Sequence, residues 1–511
     1  MFKHSVSKFF NYIQKDYIID WLNIYGVSHA FVKGKKNTIF MENGKVVEEK
    51  IKNNIFSNLY QDEVADLTQF IFNNHTHKSQ TIKALQNKNI KCVYQGFVTD
   101  DEFFGISDFI VPRQTLNILL QKYTNKSFTQ DENDNSYYIV DVKSSCKIIN
   151  GKVSEYTSNY DWIHFQLSFY RQLLKSYDVE VSTKGYIITF DKDKNNITLG
   201  EIKLHPIDTR LLSIYMKTIE EEGKDWSLYP LPSHDYLYPN MKNAYDDEWR
   251  QAKTEIAKKI GEWTMIPYVG MSLRKQLWKR EIKTFRDDDV LLKLKKYDEF
   301  NKINKNIVEV NQLSVFCETR GGEGIKKELN EKINRKDIVL YLDIEELIHD
   351  GHMHAFMICI YSSVDKKYRT IMCENTDEIL GKKIINDTSD IIEEYTSKYD
   401  KVKIVHYSGN ESKIFRQNDK VEYIDLYDIL KNNKFAMTGL YSLKLKEIYK
   451  CIERNKEECE IENGLEALIV GQKYYSSNDE EEKKKYKIDL EKYIKRDVDI
   501  LLKVIKYFNR Y

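Results

Sequence analysis

The sequence predicts an α/β chain in three parts: a sheet-bearing N-terminal domain, a helical middle region and a second sheet-bearing domain. Three observations carry that expectation. Strand-like apolar runs cluster at 92–111, 137–143 and 185–190. Over about 244–312 the apolar spacing becomes helical. Ile338-Val339-Leu340-Tyr341-Leu342 then opens a new alternation of strands and helices. The expected boundaries are 1–235, 236–325 and 326–511.

Taken in order, Phe2 to about Asn54 reads as helical, with Phe10, Ile13, Ile18, Trp21 and Leu22 at helical spacing. Cys92 through Val98 is the first strand and Gly105 through Val111 the second, with Asp100-Asp101-Glu102 as the turn between them. Gln130 to Ser136 is a polar loop before a third strand, Tyr137 to Lys143. A helix follows around Trp162 to Ser176, and Gly185 to Phe190 is expected to close the sheet. Pro230, Pro232 and Pro239 mark an interdomain connection, and Gly321-Gly322-Glu323-Gly324 a second linker. Beyond it, Ala355 to Tyr361 is expected beside the 338–342 strand. The charge run Asn478 to Lys487 reads as a solvated loop or helix end.

At 511 residues the chain is too long for one ordinary core. Charged residues make up 31% and aromatics 13%, which excludes a disordered chain. The 79 basic and 79 acidic residues cancel, so no large basic surface is expected. Local charge can still build a nucleic-acid track, because clustered carboxylates offset it in the sum. Cysteines stand at 92, 146, 317, 359, 373, 451 and 459 without a C-x-x-C pair, which fits a reduced, intracellular setting. The start Met1-Phe2-Lys3-His4-Ser5 lacks an apolar signal core, and no run is long enough to span a bilayer, so a soluble protein without a membrane partner is expected.

The chemistry lies in two sets of acids. Asp108 and Asp141 each fall on an expected strand, and Lys143, two residues past Asp141, points to the same face. Carboxylates converging on a divalent ion, with a lysine to position water and stabilise charge, are what metal-assisted phosphodiester hydrolysis needs. Oxygen ligands select Mg²⁺ or Mn²⁺. The order Gly105-x-x-Asp108, Asp141-x-Lys143, Gln166-x-x-x-Tyr170 resembles the PD-(D/E)xK nucleases of the RecB type, over roughly the first 200 residues. That resemblance implies a restriction-endonuclease-like domain. It implies metal ligation by Asp108, Asp141 and an earlier helical acid, matched by Glu48 in Gly44-Lys45-Val46-Val47-Glu48, with Glu49 the other candidate. Lys143 is then the catalytic lysine, and Gln166 and Tyr170 orient the lysine or a phosphate. Tyr94-Gln95-Gly96 resembles the family's strand before the first aspartate. Many RecB-type enzymes hold an iron–sulfur cluster on four cysteines. No cysteine lies between Cys146 and Cys317, so no cluster is expected, and Cys92 and Cys146 read as buried thiols.

Asp343 and Glu345 alternate on one strand and share a face. Tyr493 and Asp497 are one helical turn apart. With Ile404 to Glu411 between them, these segments resemble the three motifs of RNase H-like DEDD exonucleases. The resemblance implies metal ligation by Asp343, Glu345, Glu411 and Asp497, with Tyr493 positioning water. The middle motif departs from the family's pattern: Tyr407, Asn410 and Glu411 replace asparagine, phenylalanine and aspartate. Asp425 is expected to be structural, and His352 and His354 to belong to a turn.

Thr264 to Gly270, with Arg274, Leu277 and Glu281 to Thr284, resembles a worn helix-hairpin-helix lacking one of its two hairpin glycines. Intact copies offer main-chain N–H groups to a DNA phosphate. The full order resembles two-domain RecB-like nucleases. The expectation is a Mg²⁺- or Mn²⁺-dependent exonuclease whose partner is nucleic acid, DNA before RNA, with no protein partner indicated. The rival is a nucleic-acid-binding scaffold with decayed sites, since fold does not fix chemistry.

Overall fold

The computed structural model describes residues 4–34, 39–100, 102–124, 136–144, 146–157, 159–191, 196–312, 318–334, 336–349, 352–408, 418–453, 461 and 463–510. The chain is mixed α/β and forms two compact units, Met1–Ile256 and Ala257–Tyr511. Residues 236–256 of the expected helical stretch lie in the first unit and 257–325 in the second. Among the described residues no helix is long and apolar enough to cross a membrane.

In the first unit the longer helices are α1 (Ile18–Tyr25), α2 (Ile39–Phe56), α3 (Asn74–Gln86), α4 (Arg113–Thr124), α5 (Tyr160–Leu174), α6 (Thr209–Lys217) and α7 (Arg250–Ile260), whose last turn runs past Ile256. The N-terminal stretch is therefore helical in pieces rather than throughout. The strands are β1 (Val64–Asp66), β2 (Cys92–Thr99), β3 (Phe103–Pro112), β4 (Tyr137–Val142), β5 (Ile148–Ile149), β6 (Lys152–Val153), β7 (Lys184–Asp191) and β8 (Asn196–Lys203). They form one sheet in the order β1-β2-β3-β4-β7-β8-β6-β5, with His4–Ser5 added alongside β3. The expectation that 185–190 closes the sheet is overturned. β7 lies inside it, and β8 with the two-residue strands β6 and β5 extends it further.

β2, β3 and β4 are antiparallel neighbours. The β2–β3 turn is tight because Asp100 Oδ1 accepts from the N–H groups of Glu102 and Phe103. β4 and β7 are parallel, so their connection must cross over, and α5 makes it. Val47, Ile51 and Ile55 of α2 repeat every four residues. That stripe packs on Tyr94, Phe109, Val140 and Ile188 of the sheet.

A buried ion cluster ties the N-terminal turn to α7. Lys253 and Asp16 have no exposed side-chain surface. Lys253 Nζ donates to Asp16 Oδ2 at 2.6 Å, to the Asn240 carbonyl at 3.1 Å and to Asp246. Asp16 also accepts from Asn240 N at 2.9 Å and Asn243 Nδ2 at 2.8 Å.

The second unit begins with α8 (Met271–Lys279), α9 (Val290–Lys296) and α10 (Lys305–Gln312), which share a core including Trp263, Ile266, Leu277, Phe285 and Ile307. Arg274 belongs to this packing: it is buried and bonded to Glu262 Oε1 at 3.1 Å. Tyr268, just before α8, adopts φ +64°, a left-handed conformation that favours glycine. The glycines at 321–324 are not a linker. They start α11 (Gly322–Lys332), and Gly321 at φ +81° sits where a Cβ would lie 2.5 Å from the Asn433 carbonyl oxygen.

A five-stranded sheet follows, built from β9 (Ile338–His349), β10 (His352–Ser362), β11 (Tyr368–Met372), β12 (Val402–His406) and β13 (Val421–Asp425). Its order is β11-β10-β9-β12-β13. β9 pairs antiparallel with β10 and parallel with β12. The longer helices that remain among the described residues are α12 (Lys383–Lys398), α13 (Leu426–Asn432), α14 (Leu445–Ile452), α15 (Gly464–Ser476) and α16 (Glu480–Phe508). Asp425 caps α13 by accepting from Tyr427 N, as a structural acid would. His354 lies on β10, not in a turn. The charge run at 478–487 holds the N-terminus of α16, where the Asp479 carboxylate accepts from Glu481 N and Glu482 N and acids suit the helix dipole.

Breaking the Lys253 cluster is predicted to be costly. Lys253→Met strands Asp16 and Asp246 without their cation, and a buried pair broken in this way costs about 3–5 kcal/mol. Urea unfolding of the full chain should show that loss in the transition of the first unit; a change below about 1 kcal/mol would show the cluster to be dispensable.

Candidate functional site

Each unit gathers one set of acids. In the first unit the β3–β4 ladder ends at Phe109–Val140. Beyond it, Val142 N–H donates to Asp108 Oδ2 at 2.8 Å instead of to a main-chain carbonyl. Asp108 and Asp141 therefore come together where the two strands part. Lys143, just past the end of β4, forms an ion pair with Asp141 and donates to Gln166 Oε1 at 3.2 Å. Gln166 Nε2 donates to the Tyr170 hydroxyl at 2.9 Å. Gly105 leaves room for that tyrosine, since a Cβ there would lie 2.3 Å from the ring.

Glu48 joins the group through Gln95. Gln95 Nε2 donates to Glu48 Oε1 at 2.7 Å and to Asp108 Oδ1 at 3.3 Å, and Tyr94 OH donates to Glu48 Oε1 at 2.7 Å. Glu49 is exposed and pairs with Lys52 at 3.7 Å, so Glu48 is the acid that turns inward. Gln95 adopts φ +55° in mid-strand, and the Gln95–Asp108 position is skipped in the β2–β3 register. Such a backbone conformation costs of order 1–3 kcal/mol and persists only when its surroundings hold it. Buried His77, whose Nε2 lies 2.7 Å from the Gln95 carbonyl, is one such hold. Sequence reading placed Gln95 in a family-like strand but gave it no role.

The electrostatics follow from crowding. Burial raises the Asp108 carboxyl well above its usual range; Asp141 and Glu48 add to this, and Lys143 opposes it. Burial alone would lower Lys143, but Asp141 and Asp108 outweigh it and hold the ammonium above its ordinary value. Tyr170 is raised by burial and by Asp141.

In the second unit β9 carries Asp343 and Glu345, with a register shift immediately after Glu345. α16 carries Tyr493 and Asp497, both buried. One carboxylate oxygen from each of Asp343, Glu345 and Asp497 lies within 4.8 Å of the others, the one acidic trio this tight among the described residues. Glu411, the expected fourth acid, lies outside the described residues. Burial, then Asp497, pushes Glu345 up to about 8. Burial raises Asp497 as well, against the pull of Lys446. Tyr493 is raised by burial, then by Glu345 and Asp497. Asp497 Oδ1 is buried without a hydrogen-bond partner.

Sequence reading missed Lys446. On the first turn of α14, its Nζ lies 2.7 Å from Asp497 Oδ2 and 2.7 Å from the Tyr493 hydroxyl. No local spacing marks it, because only the packing of α14 on α16 brings it there.

No family model matches the chain. No curated protein matches it. The crystal structure of SSO0001 is similar over 39% of this chain and 84% of its own, at 15% identity and a TM-score of 0.15, a likeness too slight to bear on fold or function.

The raised Glu345 predicts a pH signature without metal. A folded value of about 8 above an unfolded one of about 4.5 means that the native state holds the extra proton between them. Its stabilising share is fully present below about 4.5 and is lost as pH rises through about 8. In EDTA, Glu345→Gln should unfold at nearly the wild-type urea midpoint at pH 4.5 and gain on wild type steadily toward pH 8. Parallel curves across that window would refute the assignment.

Proposed function

We propose that the protein is a Mg²⁺- or Mn²⁺-dependent nuclease that acts as a DNA exonuclease, with a PD-(D/E)xK centre in the first unit and an RNase H-like, DEDD-type centre in the second. The observation that carries this reading is the junction of Asp108, Asp141 and Lys143 at parting strand ends, with Glu48 tied in through Gln95 and with Gln166 and Tyr170 behind the lysine. These residues come from α2, β2, β3, α5 and from β4 and the residue just past its end, so their meeting is a property of the fold and not of proximity in sequence.

The donor sets suit a hard divalent ion. The second centre offers three carboxylates within 4.8 Å and a buried Asp497 oxygen that no hydrogen bond satisfies. Asp343, Glu345 and Asp497, with Glu411, would hold the ion there; Glu48, Asp108 and Asp141 would do so in the first centre. A bound ion polarises the phosphodiester and makes water a better nucleophile. The chain's own groups supply the rest. Lys143, fixed between Asp141 and Gln166, orients water and stabilises charge developing on phosphate oxygens. Tyr493, its hydroxyl fixed by Lys446, positions water in the second centre. Tyr268 to Gly270, at the start of α8, is the segment we assign to backbone phosphate contact. Arg274 is excluded from that role by its buried bond to Glu262.

The test is cleavage of labelled single- and double-stranded DNA and RNA with Mn²⁺ by wild type, Lys143→Ala, Asp343→Ala and the double variant. Removing a group that stabilises developing charge should cost about 10²-fold or more in the affected activity. Stepwise loss is expected, with a product ladder that reveals polarity. An inactive wild type that still binds nucleic acid would establish the scaffold reading instead. A fully active double variant would place the chemistry elsewhere.

A further inference from the structure

We propose that Lys446 takes the place of one metal ion in the second centre, so that Asp343, Glu345 and Asp497 bind a single divalent cation, where two-metal nuclease sites use a pair. The inference rests on the nuclease reading of that centre and adds its ion count and the residue that sets it.

The geometry is specific. Lys446 Nζ is held at 2.7 Å by Asp497 Oδ2 and at 2.7 Å by the Tyr493 hydroxyl, and it lies 4.0 Å from the centre of the Tyr493 ring. These contacts fix an ammonium against one side of the acidic trio, on a side chain that is only 25% exposed. Asp497 is thereby divided. Its Oδ2 serves the lysine, while its buried Oδ1 has no hydrogen-bond partner and lies 3.9 Å from the Arg496 guanidinium. In a two-metal site the ions lie about 3.5–4 Å apart and clamp both oxygens of the displacement. Here the shared carboxylate meets an ammonium on one oxygen and leaves the other for an ion.

Charge points the same way. With Lys446 on Asp497 Oδ2 and the Arg496 guanidinium 3.9 Å from Asp497 Oδ1, two side-chain cations already face the carboxylate that a metal pair would share. A second divalent ion would have to approach a cation already in contact with the same carboxylate, in a site where like charges are poorly screened. It would also have to displace Nζ from both Asp497 and Tyr493. Lys446 is a tethered cation that cannot diffuse away. The centre therefore keeps one fixed positive charge at any metal concentration, and the hydroxyl of Tyr493 stays in place whether or not metal is bound.

The test counts ions. Full-length protein carrying Asp108→Ala, which disables the first centre, is titrated with Mn²⁺ by calorimetry and by the EPR signal of free Mn²⁺. The ions of the second centre are those lost when Asp343→Ala is added. One such ion is expected with Lys446 present, two in Lys446→Ala, and one again in Lys446→Arg, which keeps the charge. Circular dichroism confirms that each variant is folded, and should Lys446→Ala fail to fold, Lys446→Gln takes its place. Two Asp343-dependent ions in the protein with Lys446 intact, or one ion of unchanged affinity after the lysine is replaced, would overturn the proposal. No Asp343-dependent ion in any variant would overturn the metal reading of the centre itself.

Discussion

Carboxylates gathered away from water repel one another, and this chain meets that constraint with lysines fixed in place. Burial and the neighbouring acids drive Asp108 upward while Lys143 opposes them. Burial raises Glu345 and Asp497, Asp497 adds to the rise of Glu345, and Lys446 opposes the rise of each. Asp16 and Asp246 meet a third lysine, Lys253. The three clusters share their chemistry and differ in how completely it is satisfied. Both oxygens of Asp16 have partners, from Asn240, Asn243 and Lys253. Asp497 keeps one buried oxygen without a hydrogen bond. A satisfied cluster holds chain segments together; an unsatisfied one retains binding capacity, which is what marks the second centre as a candidate for a metal ion.

The parts of these centres that were legible in the sequence are those set by local geometry. Lys143 lies two residues past Asp141, and the pleat alone puts them on one side. Tyr493 and Asp497 are a helical turn apart, and Asp343 and Glu345 alternate on one strand. What stayed hidden is tertiary. Gln95 reaches both Glu48 and Asp108 because its backbone leaves the strand conformation, which no periodicity encodes. Lys446 comes from another helix altogether. The sheet was under-read for a simpler reason: β5 and β6 have two residues each, too few to show alternation. The glycines at 321–324 were misread because glycine serves both flexible chain and close approach, and the nearby Asn433 carbonyl decides between them.

The strain at Gln95 bears on how the first centre is maintained. Its left-handed conformation breaks one step of the β2–β3 pairing. In exchange, one amide group links an acid on α2 to an acid on β3. A regular strand would keep the ladder and lose that link. The α2 stripe of Val47, Ile51 and Ile55 brings Glu48 within reach of the sheet, and Tyr94 and Gln95 fix where its carboxylate ends. The position of Glu48 thus depends on two neighbouring residues of the first long strand, one in a regular conformation and one out of it.

The two centres differ in what holds their lysine. Lys143 follows its strand partner, so any change that preserves β4 preserves the pair. Lys446 depends on α14 lying against α16, and beside its polar bonds that contact has an apolar core: Ile448 and Tyr449 pack in one cluster with Ile500, Leu501 and Val504. Truncating a buried residue of this kind removes its transfer energy and leaves a cavity, at about 2–5 kcal/mol for Ile→Ala. In this core the same loss would also loosen the ammonium from Asp497 and Tyr493. Stability and electrostatics in the second unit are therefore carried by the same side chains. A substitution in this apolar core can thus shift the centre's fixed ammonium without changing any of its acids.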